Sequence, residues 1–276
     1  MPEGPEIRRA ADRIAMVLDG KVAEEVYFEQ RGLRSFENVL AGERVERVTS
    51  RGKALLTRFD CGLSLYSHNQ LYGRWYVMRR GRKPKTNRTL RVAIHTSTHS
   101  ALLYSASDIA VLDEAGLGAH PYLTRLGPDA LDLDVEWRDV AARLRDKAFH
   151  RRRLSALYLD QSFVAGIGNY LRSEILFDAR LEPTLRPCDL SRAEVGRLAR
   201  STLSITRRSL ETGGITNPPG RVRALKADGL TRRRYRFAVF GRTNQPCYRC
   251  DWPIERIEAG SRRLYLCPSC QPERLA

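Results

Sequence analysis

Apolar residues recur at helical spacing from the start of the chain. Ile7, Ala10, Ala11, Ile14 and Leu18 mark one face of a helix over residues 5–19, opened by Pro5 and closed by Gly20. From Val22 the pattern shortens to strand-like runs: Val22–Phe28, Arg44–Val48, Ala54–Phe59, Leu63–Ser67, Arg74–Met78, Leu90–Ile94 and Ala101–Tyr104, with Gly, Asn or charged breaks between them. So many short strands behind one helix predict a β-sandwich or barrel-like first domain. Residues 105–136 carry Gly116, Gly118, Pro121, Gly127 and Pro128 and have the texture of a linker. Helical spacing returns over Trp137–Leu144, Leu154–Leu159, Asn169–Phe177 and Ser191–Leu210, and paired cysteines close the chain. The fold class is α+β. The expected division is 1–125 for the strand-rich domain, 126–136 for the linker, 137–236 for a helical domain and 237–271 for a metal hairpin.

Size and composition bound what such a chain can be. At 276 residues and 31.4 kDa it can build two cores, and 42% hydrophobic with 29% charged residues excludes a disordered polymer. No apolar run approaches the roughly 18 residues that span a bilayer. The first residues, Met1-Pro2-Glu3-Gly4-Pro5-Glu6, lack the basic and apolar regions of a signal peptide. A soluble, cytoplasmic protein with no membrane partner is expected. Lys plus Arg number 48 against 32 Asp plus Glu, a net charge of +16 and a pI near 10.1. That excess suits a polyanion, and nucleic acid is the commonest one inside a cell.

Four cysteines carry the clearest chemistry. Cys247, Cys250, Cys267 and Cys270 form C-x2-C-x16-C-x2-C, the spacing of tetrahedral thiolate coordination of zinc. The sixteen intervening residues can run out and back as a hairpin turning at Ala259-Gly260-Ser261. Four thiolates leave no open position, so one structural Zn2+ is predicted, with no organic cofactor. Cys61 and Cys188 stand alone and read as small buried hydrophobes. Upstream of the hairpin, residues 221–242 hold eight Arg or Lys against Asp228 alone, a stretch suited to phosphate. The segment Gly166-Ile167-Gly168-Asn169 joins two helices. Its glycines permit tight turns, and Asn169 is placed to cap the second helix, whose free N–H groups favour an anion beside Arg151, Arg152 and Arg153.

Several of these motifs together carry a resemblance. Met1-Pro2-Glu3-Gly4-Pro5-Glu6-Ile7-Arg8-Arg9, Arg51-Gly52-Lys53, Ser67-His68-Asn69-Gln70-Leu71-Tyr72-Gly73, Gly166-Ile167-Gly168-Asn169-Tyr170 and the four-cysteine hairpin occur in the order found in the bifunctional DNA glycosylases of the formamidopyrimidine-glycosylase/endonuclease VIII family. Gly4 and the triplet Gln70-Leu71-Tyr72 resemble the endonuclease VIII branch. The resemblance implies an N-terminal β-sandwich with its helix, then a helix–two-turn–helix bundle and a zinc finger. It implies a base-excision-repair enzyme that removes oxidised pyrimidines from double-stranded DNA as a monomer and nicks the abasic strand by β,δ-elimination. A purine-lesion glycosylase of the sister branch and a non-catalytic zinc DNA-binding protein are the alternatives.

The resemblance also distributes roles. Family members lose the initiator Met, so Pro2 becomes an N-terminal secondary amine. An α-amino group titrates near 7.7–8.0, so an appreciable neutral fraction is available to attack C1′ and form a Schiff base. Glu3 is the implied general acid and Glu6 an electrostatic partner. Lys53 is implied as the cation near phosphate and the proton donor in strand cleavage, and Arg262 in the hairpin turn, with the adjacent Arg263 as the alternative, as the phosphate ligand for δ-elimination. Gln70, Leu71 and Tyr72 would fill the hole left by an extruded base. Arg125, Asn169 and Arg172 are implied DNA-backbone contacts. The five histidines show no ligand spacing and read as structural. Residues 213–234 depart from the pattern of the endonuclease VIII branch, in the neighbourhood that family members use near the extruded base.

Overall fold

The computed structural model describes residues 2–274 and divides after Arg125 into two compact units. No helix among the described residues is long and apolar enough to cross a membrane.

The first unit opens with α1 (Gly4–Leu18), one residue from each end of the expected span. Its apolar face, Ile7, Ala11, Ile14 and Leu18, is buried against β-structure as the spacing requires. Then come β1 (Glu25–Phe28), α2 (Ser35–Leu40), β2 (Val45–Arg51), β3 (Ala54–Phe59), β4 (Ser64–His68), β5 (Arg74–Arg79), β6 (Leu90–His95), β7 (His99–Tyr104), β8 (Asp108–Leu112) and α3 (Glu114–Ala119). They form two antiparallel four-stranded sheets, ordered β1-β6-β7-β5 and β2-β3-β4-β8. Phe28, Val92, Ile94 and Leu103 from the first sheet meet Val48, Leu55, Phe59 and Leu65 from the second in one core with α1. This is the β-sandwich.

Three local expectations fail here. The segment after residue 105 is no linker at first, because β8 pairs with β4 along its length and α3 follows, capped by Asp113, whose carboxylate accepts from Gly116 N at 2.7 Å. Helix α2 lay unseen between two strand runs. Cys61 is exposed rather than buried, since the turn between β3 and β4 points it outward, and Cys188 is exposed in the short 3-10 turn Pro187–Asp189.

The second unit contains α4 (Trp137–Arg145), α5 (Leu154–Leu157), α6 (Asn169–Asp178), α7 (Arg192–Glu211), α8 (Pro219–Ala227), α9 (Arg232–Tyr235) and the hairpin β9 (Glu255–Ala259) with β10 (Arg262–Leu266). Ser191 caps α7, and its hydroxyl and Glu194 satisfy each other's backbone donors as S-x-x-E predicts. One core unites Val140 and Leu144 of α4, Leu171 and Ile175 of α6, Leu198 and Ala199 of α7, and Leu264 and Leu266 of β10. Residues 126–136 run into this core through Ala130, and Gly127 N donates to the Gln161 carbonyl at 2.9 Å.

Helix α6 is buried on nearly all sides, which explains its weak apolar periodicity. At its centre Glu174 is 1% exposed and accepts from the backbone N–H groups of Ala238 (2.8 Å), Val239 (2.8 Å) and Phe240 (2.9 Å) and from the Thr216 hydroxyl. One carboxylate thus ties the chain leading to the metal hairpin, and the loop after α7, to α6. Nothing in the sequence marks Glu174, because its partners lie more than 40 residues away. Glu174→Ala orphans these buried donors together and is expected to cost at least about 3 kcal/mol. Urea unfolding of the two proteins measures it.

Candidate active site and nucleic-acid interface

The N-terminal residues are organised by the start of α1. Glu3 is the N-cap, with extended backbone, and Pro2 precedes it half-buried. Glu3 N donates to Glu6 Oε2 at 3.1 Å, and Glu6 Oε1 accepts from Arg9 at 2.9 Å. The Glu3 carboxylate closes the reciprocal half of this capping box and is 3% exposed. A helix N-terminus favours a carboxylate, so the fold holds an acid one residue from Pro2 without a neighbouring strand having to position it.

Lys53 occupies the two-residue turn between β2 and β3, where Arg51 pairs with Ala54. It is 7% exposed, and its backbone N–H donates to the Tyr122 hydroxyl at 2.8 Å. Around it stands a polar aromatic group that sequence reasoning did not assemble. His68 and Tyr122 meet edge to face at 5.2 Å, Tyr66 and His120 lie 4.2 Å apart, and the Tyr66 hydroxyl reaches Asp108. Burial holds the His68 imidazole below its usual value, with Asp108 opposing and Lys53 adding to the effect. Burial, reinforced by Asp108, pushes the Tyr66 phenol well above its usual range. Burial thus disfavours the charged form of both groups. The segment His120-Pro121-Tyr122 also bears Arg125, which is exposed and donates through Nε to the Pro121 carbonyl at 2.7 Å.

Gln70, Leu71 and Tyr72 form an exposed turn between β4 and β5, with Leu71 59% and Tyr72 68% exposed. Large apolar side chains held in water need a reason, and a stacked duplex opened by base extrusion offers one.

In the second unit the expected cap moves by one residue. Gly168 is the N-cap of α6 and Asn169 its first helical residue. Only Gly166 of the two loop glycines needs left-handed backbone (φ +88°); Gly168 is extended. Asn169 Nδ2 donates instead to the Arg263 carbonyl at 2.7 Å, across to the β9–β10 hairpin. Arg172 corrects the expectation of a DNA contact, because its side chain lies inside the unit at 0% exposure. Its guanidinium donates to the Ser155 carbonyl (2.8 Å), Asn169 Oδ1 (2.7 Å) and the Arg263 carbonyl (3.2 Å), so it fixes Asn169 and the hairpin and cannot meet phosphate. Arg262 opens β10, opposite Ala259, and is exposed. It lines a groove of about 480 Å³ together with Arg153, while Arg152 is paired with Asp160 at 2.6 Å.

The basic stretch is less open than its composition implied. It folds as α8 and α9, and much of its charge serves the chain itself. Arg232 donates to the Gly213 carbonyl at 2.6 Å, Arg234 to Gln245 and Arg236 to the Gly214 carbonyl at 2.7 Å. Arg242 is 5% exposed, stacks 3.4 Å from the Tyr248 ring and donates to the Pro246 carbonyl at 2.7 Å. These bonds shape the departing segment 213–234 rather than leaving it as a charged loop.

The four cysteines converge. The Sγ atoms of Cys247, Cys250, Cys267 and Cys270 all lie within 4.8 Å of one another, with Cys250–Cys267 at 3.4 Å, Cys250–Cys270 at 3.5 Å and Cys247–Cys270 at 3.9 Å. A zinc tetrahedron with arms near 2.3 Å has edges of about 3.8 Å, so the donor set fits that ion.

The chain is similar to known proteins along both units. The profile of the formamidopyrimidine-DNA glycosylase N-terminal domain matches residues 1–108, and that of the formamidopyrimidine-DNA glycosylase H2TH domain matches residues 126–218. Endonuclease 8 of Salmonella arizonae is 46% identical over 271 residues, 98% of this chain and 100% of the relative. Endonuclease 8 of Klebsiella pneumoniae subsp. pneumoniae, with the same coverage, is 44% identical. The crystal structure of wild-type Lactococcus lactis Fpg in complex with oxidised-pyrimidine-containing DNA shares the fold, with a TM-score of 0.81 at 18% identity over 99% of this chain and 100% of that one. Its complex with abasic-site DNA superposes with a TM-score of 0.80, also at 18% identity, over 98% and 100%. On end-to-end identity to Endonuclease 8 together with both domain matches, the chain belongs to the formamidopyrimidine-DNA glycosylase/endonuclease VIII family, in its endonuclease VIII branch.

Proposed function

We propose that the chain is a bifunctional DNA glycosylase and abasic-site lyase that excises oxidised pyrimidines through a Schiff base on Pro2. The observation that carries this reading is identity of 44–46% to Endonuclease 8 over 98% of the chain, across both units. With Met1 removed, the Pro2 nitrogen attacks C1′ and the C1′–base bond breaks, the departing base taking a proton from Glu3. The amine then loses its proton and the C1′–O4′ bond breaks, O4′ leaving as a hydroxyl; the iminium so formed acidifies C2′. Loss of a C2′ proton expels the 3′ phosphate, and a second elimination expels the 5′ phosphate. Lys53 supplies a proton in strand cleavage. Arg262 binds a phosphate through its guanidinium fork, and Arg125 and Asn169 hold the backbone alongside.

The four thiolates would hold one structural Zn2+, whose contribution is to close the hairpin that bears Arg262. In this reading the protein acts as a monomer on damaged double-stranded DNA in the cytoplasm. Single-turnover excision from duplexes containing thymine glycol or 8-oxoguanine tests lesion class. Faster release of thymine glycol is expected; faster release of 8-oxoguanine would assign the chain the purine lesions instead.

A further inference from the structure

The turn that carries Leu71 and Tyr72 is held out from the first unit by groups that lie outside it. Gly73 N donates to the Asn69 carbonyl at 2.7 Å and closes the turn. A Cβ on Gly73 would fall 2.6 Å from that same oxygen, so only glycine permits the closure. Gln70 sits in left-handed backbone at φ +48°, a conformation that costs a non-glycine residue energy unless its surroundings impose it. Here its neighbours impose it. The Gln70 N–H donates to His68 Nδ1 at 3.2 Å, and its carboxamide oxygen accepts from the Ser107 hydroxyl at 3.0 Å. The Ser107 carbonyl is anchored in turn by Gln30 Nε2 at 3.0 Å. From the other side Arg88, in the long loop between β5 and β6, donates from its guanidinium to the Tyr72 carbonyl. The Arg88 N–H is itself held by the Thr86 hydroxyl at 3.3 Å.

We infer that Arg88, seconded by Ser107, is a positioning residue that presents Leu71 and Tyr72 for insertion into the duplex, a reading that rests on the glycosylase function proposed above. A bond from a guanidinium to a carbonyl is stronger than a neutral one, and it grips the backbone of the residue whose ring must enter the base stack. Without it the exposed apolar pair is free to fold back onto the sandwich, and the ordering must be repeated at each encounter with DNA. Two other arginines of the Arg79–Arg91 stretch are engaged elsewhere: Arg80 with Glu24 and Glu25, and Arg91 with Glu29. Arg88 has no need to touch the lesion. Its effect is confined to opening a stacked duplex.

That confinement makes the test. Arg88→Met keeps the aliphatic stem and loses the donors. Arg82→Met, an exposed position in the same loop, removes the same charge as a control. Each is compared with wild type in single-turnover excision of thymine glycol from a duplex. The rise of 2-aminopurine fluorescence beside the lesion and borohydride trapping on a single-stranded abasic oligonucleotide are scored alongside. Arg88→Met is expected to slow duplex excision and the fluorescence rise about tenfold, the scale of one charge-assisted hydrogen bond, and to leave single-stranded trapping within about twofold. Arg82→Met is expected to change none of the three by more than about twofold. Ser107→Ala, which removes only a surface hydroxyl, is expected to show the same duplex-only split at smaller amplitude. Wild-type excision by Arg88→Met, or an equal loss on duplex and single strand, overturns the inference; if Arg88→Met does not fold, absence of the split in Ser107→Ala overturns it. A wild-type protein that neither excises thymine glycol nor is trapped would instead sink the function on which it rests.

Discussion

A protein carrying one residue that stays ahead of Pro2 is expected to yield no borohydride-trapped complex on an abasic-site duplex. A proline nitrogen inside a peptide bond is an amide whose lone pair is delocalised into the carbonyl, and it cannot attack C1′. Pro2→Gly leaves a primary amine after Met removal and should retain part of the trapping. The extra residue should not disturb the first unit, because α1 starts at Gly4 and its capping bond runs between Glu3 and Glu6. A gel-shift on the same duplex should therefore show far smaller losses than trapping does, the phosphate contacts proposed for Lys53, Arg125, Asn169 and Arg262 lying elsewhere. Lys53→Leu supplies the complementary result, with excision and cleavage damaged while the amine is intact. Full trapping by a protein whose blocked N-terminus has been verified would mean that a lysine forms the bond; Lys53, 7% exposed in its turn, would be the first to examine.

Removal of one thiolate should have the second large effect. Cys267→Ala is expected to lower bound zinc from about one equivalent to near zero, since closed four-thiolate sites bind with about 10–16 kcal/mol that depends on the complete ligand set. The hairpin does not depend on the ion alone. Tyr265, Ile254 and Val239 pack with Phe177 of α6, and Asn169 and Arg172 both hold the Arg263 carbonyl. The outcome should thus be a loosened hairpin on a folded unit, with weaker DNA binding because Arg262 loses its fixed place. Elemental analysis beside hydrogen exchange measures both halves. Unchanged zinc content would refute these ligands, and loss of protection in β2 to β4 would show that the damage is not confined to the hairpin's own unit.

What the sequence determined by itself was local. The apolar spacing of α1, the short strand-like runs, the helical spacing of α7 and the C-x2-C pairs each act over a few residues, so pattern alone locates them. The motifs at Pro2, Lys53 and Gln70 to Tyr72 carried meaning only through the family resemblance, because taken locally they are a helix start, a solvated lysine and a strand end. Tertiary structure decided whatever depends on partners distant along the chain. Burial turned Arg172 from an expected phosphate contact into a brace for Asn169 and Arg263, because a guanidinium inside the unit must spend its donors on carbonyls. The same accounting made Glu174 a hub for a segment more than 60 residues away and committed Arg232, Arg236 and Arg242 of the basic stretch to backbone carbonyls. Composition records how many charges a chain carries. Only the fold decides which of them remain for DNA, because each buried donor or acceptor must find its partner before any is left over for a ligand.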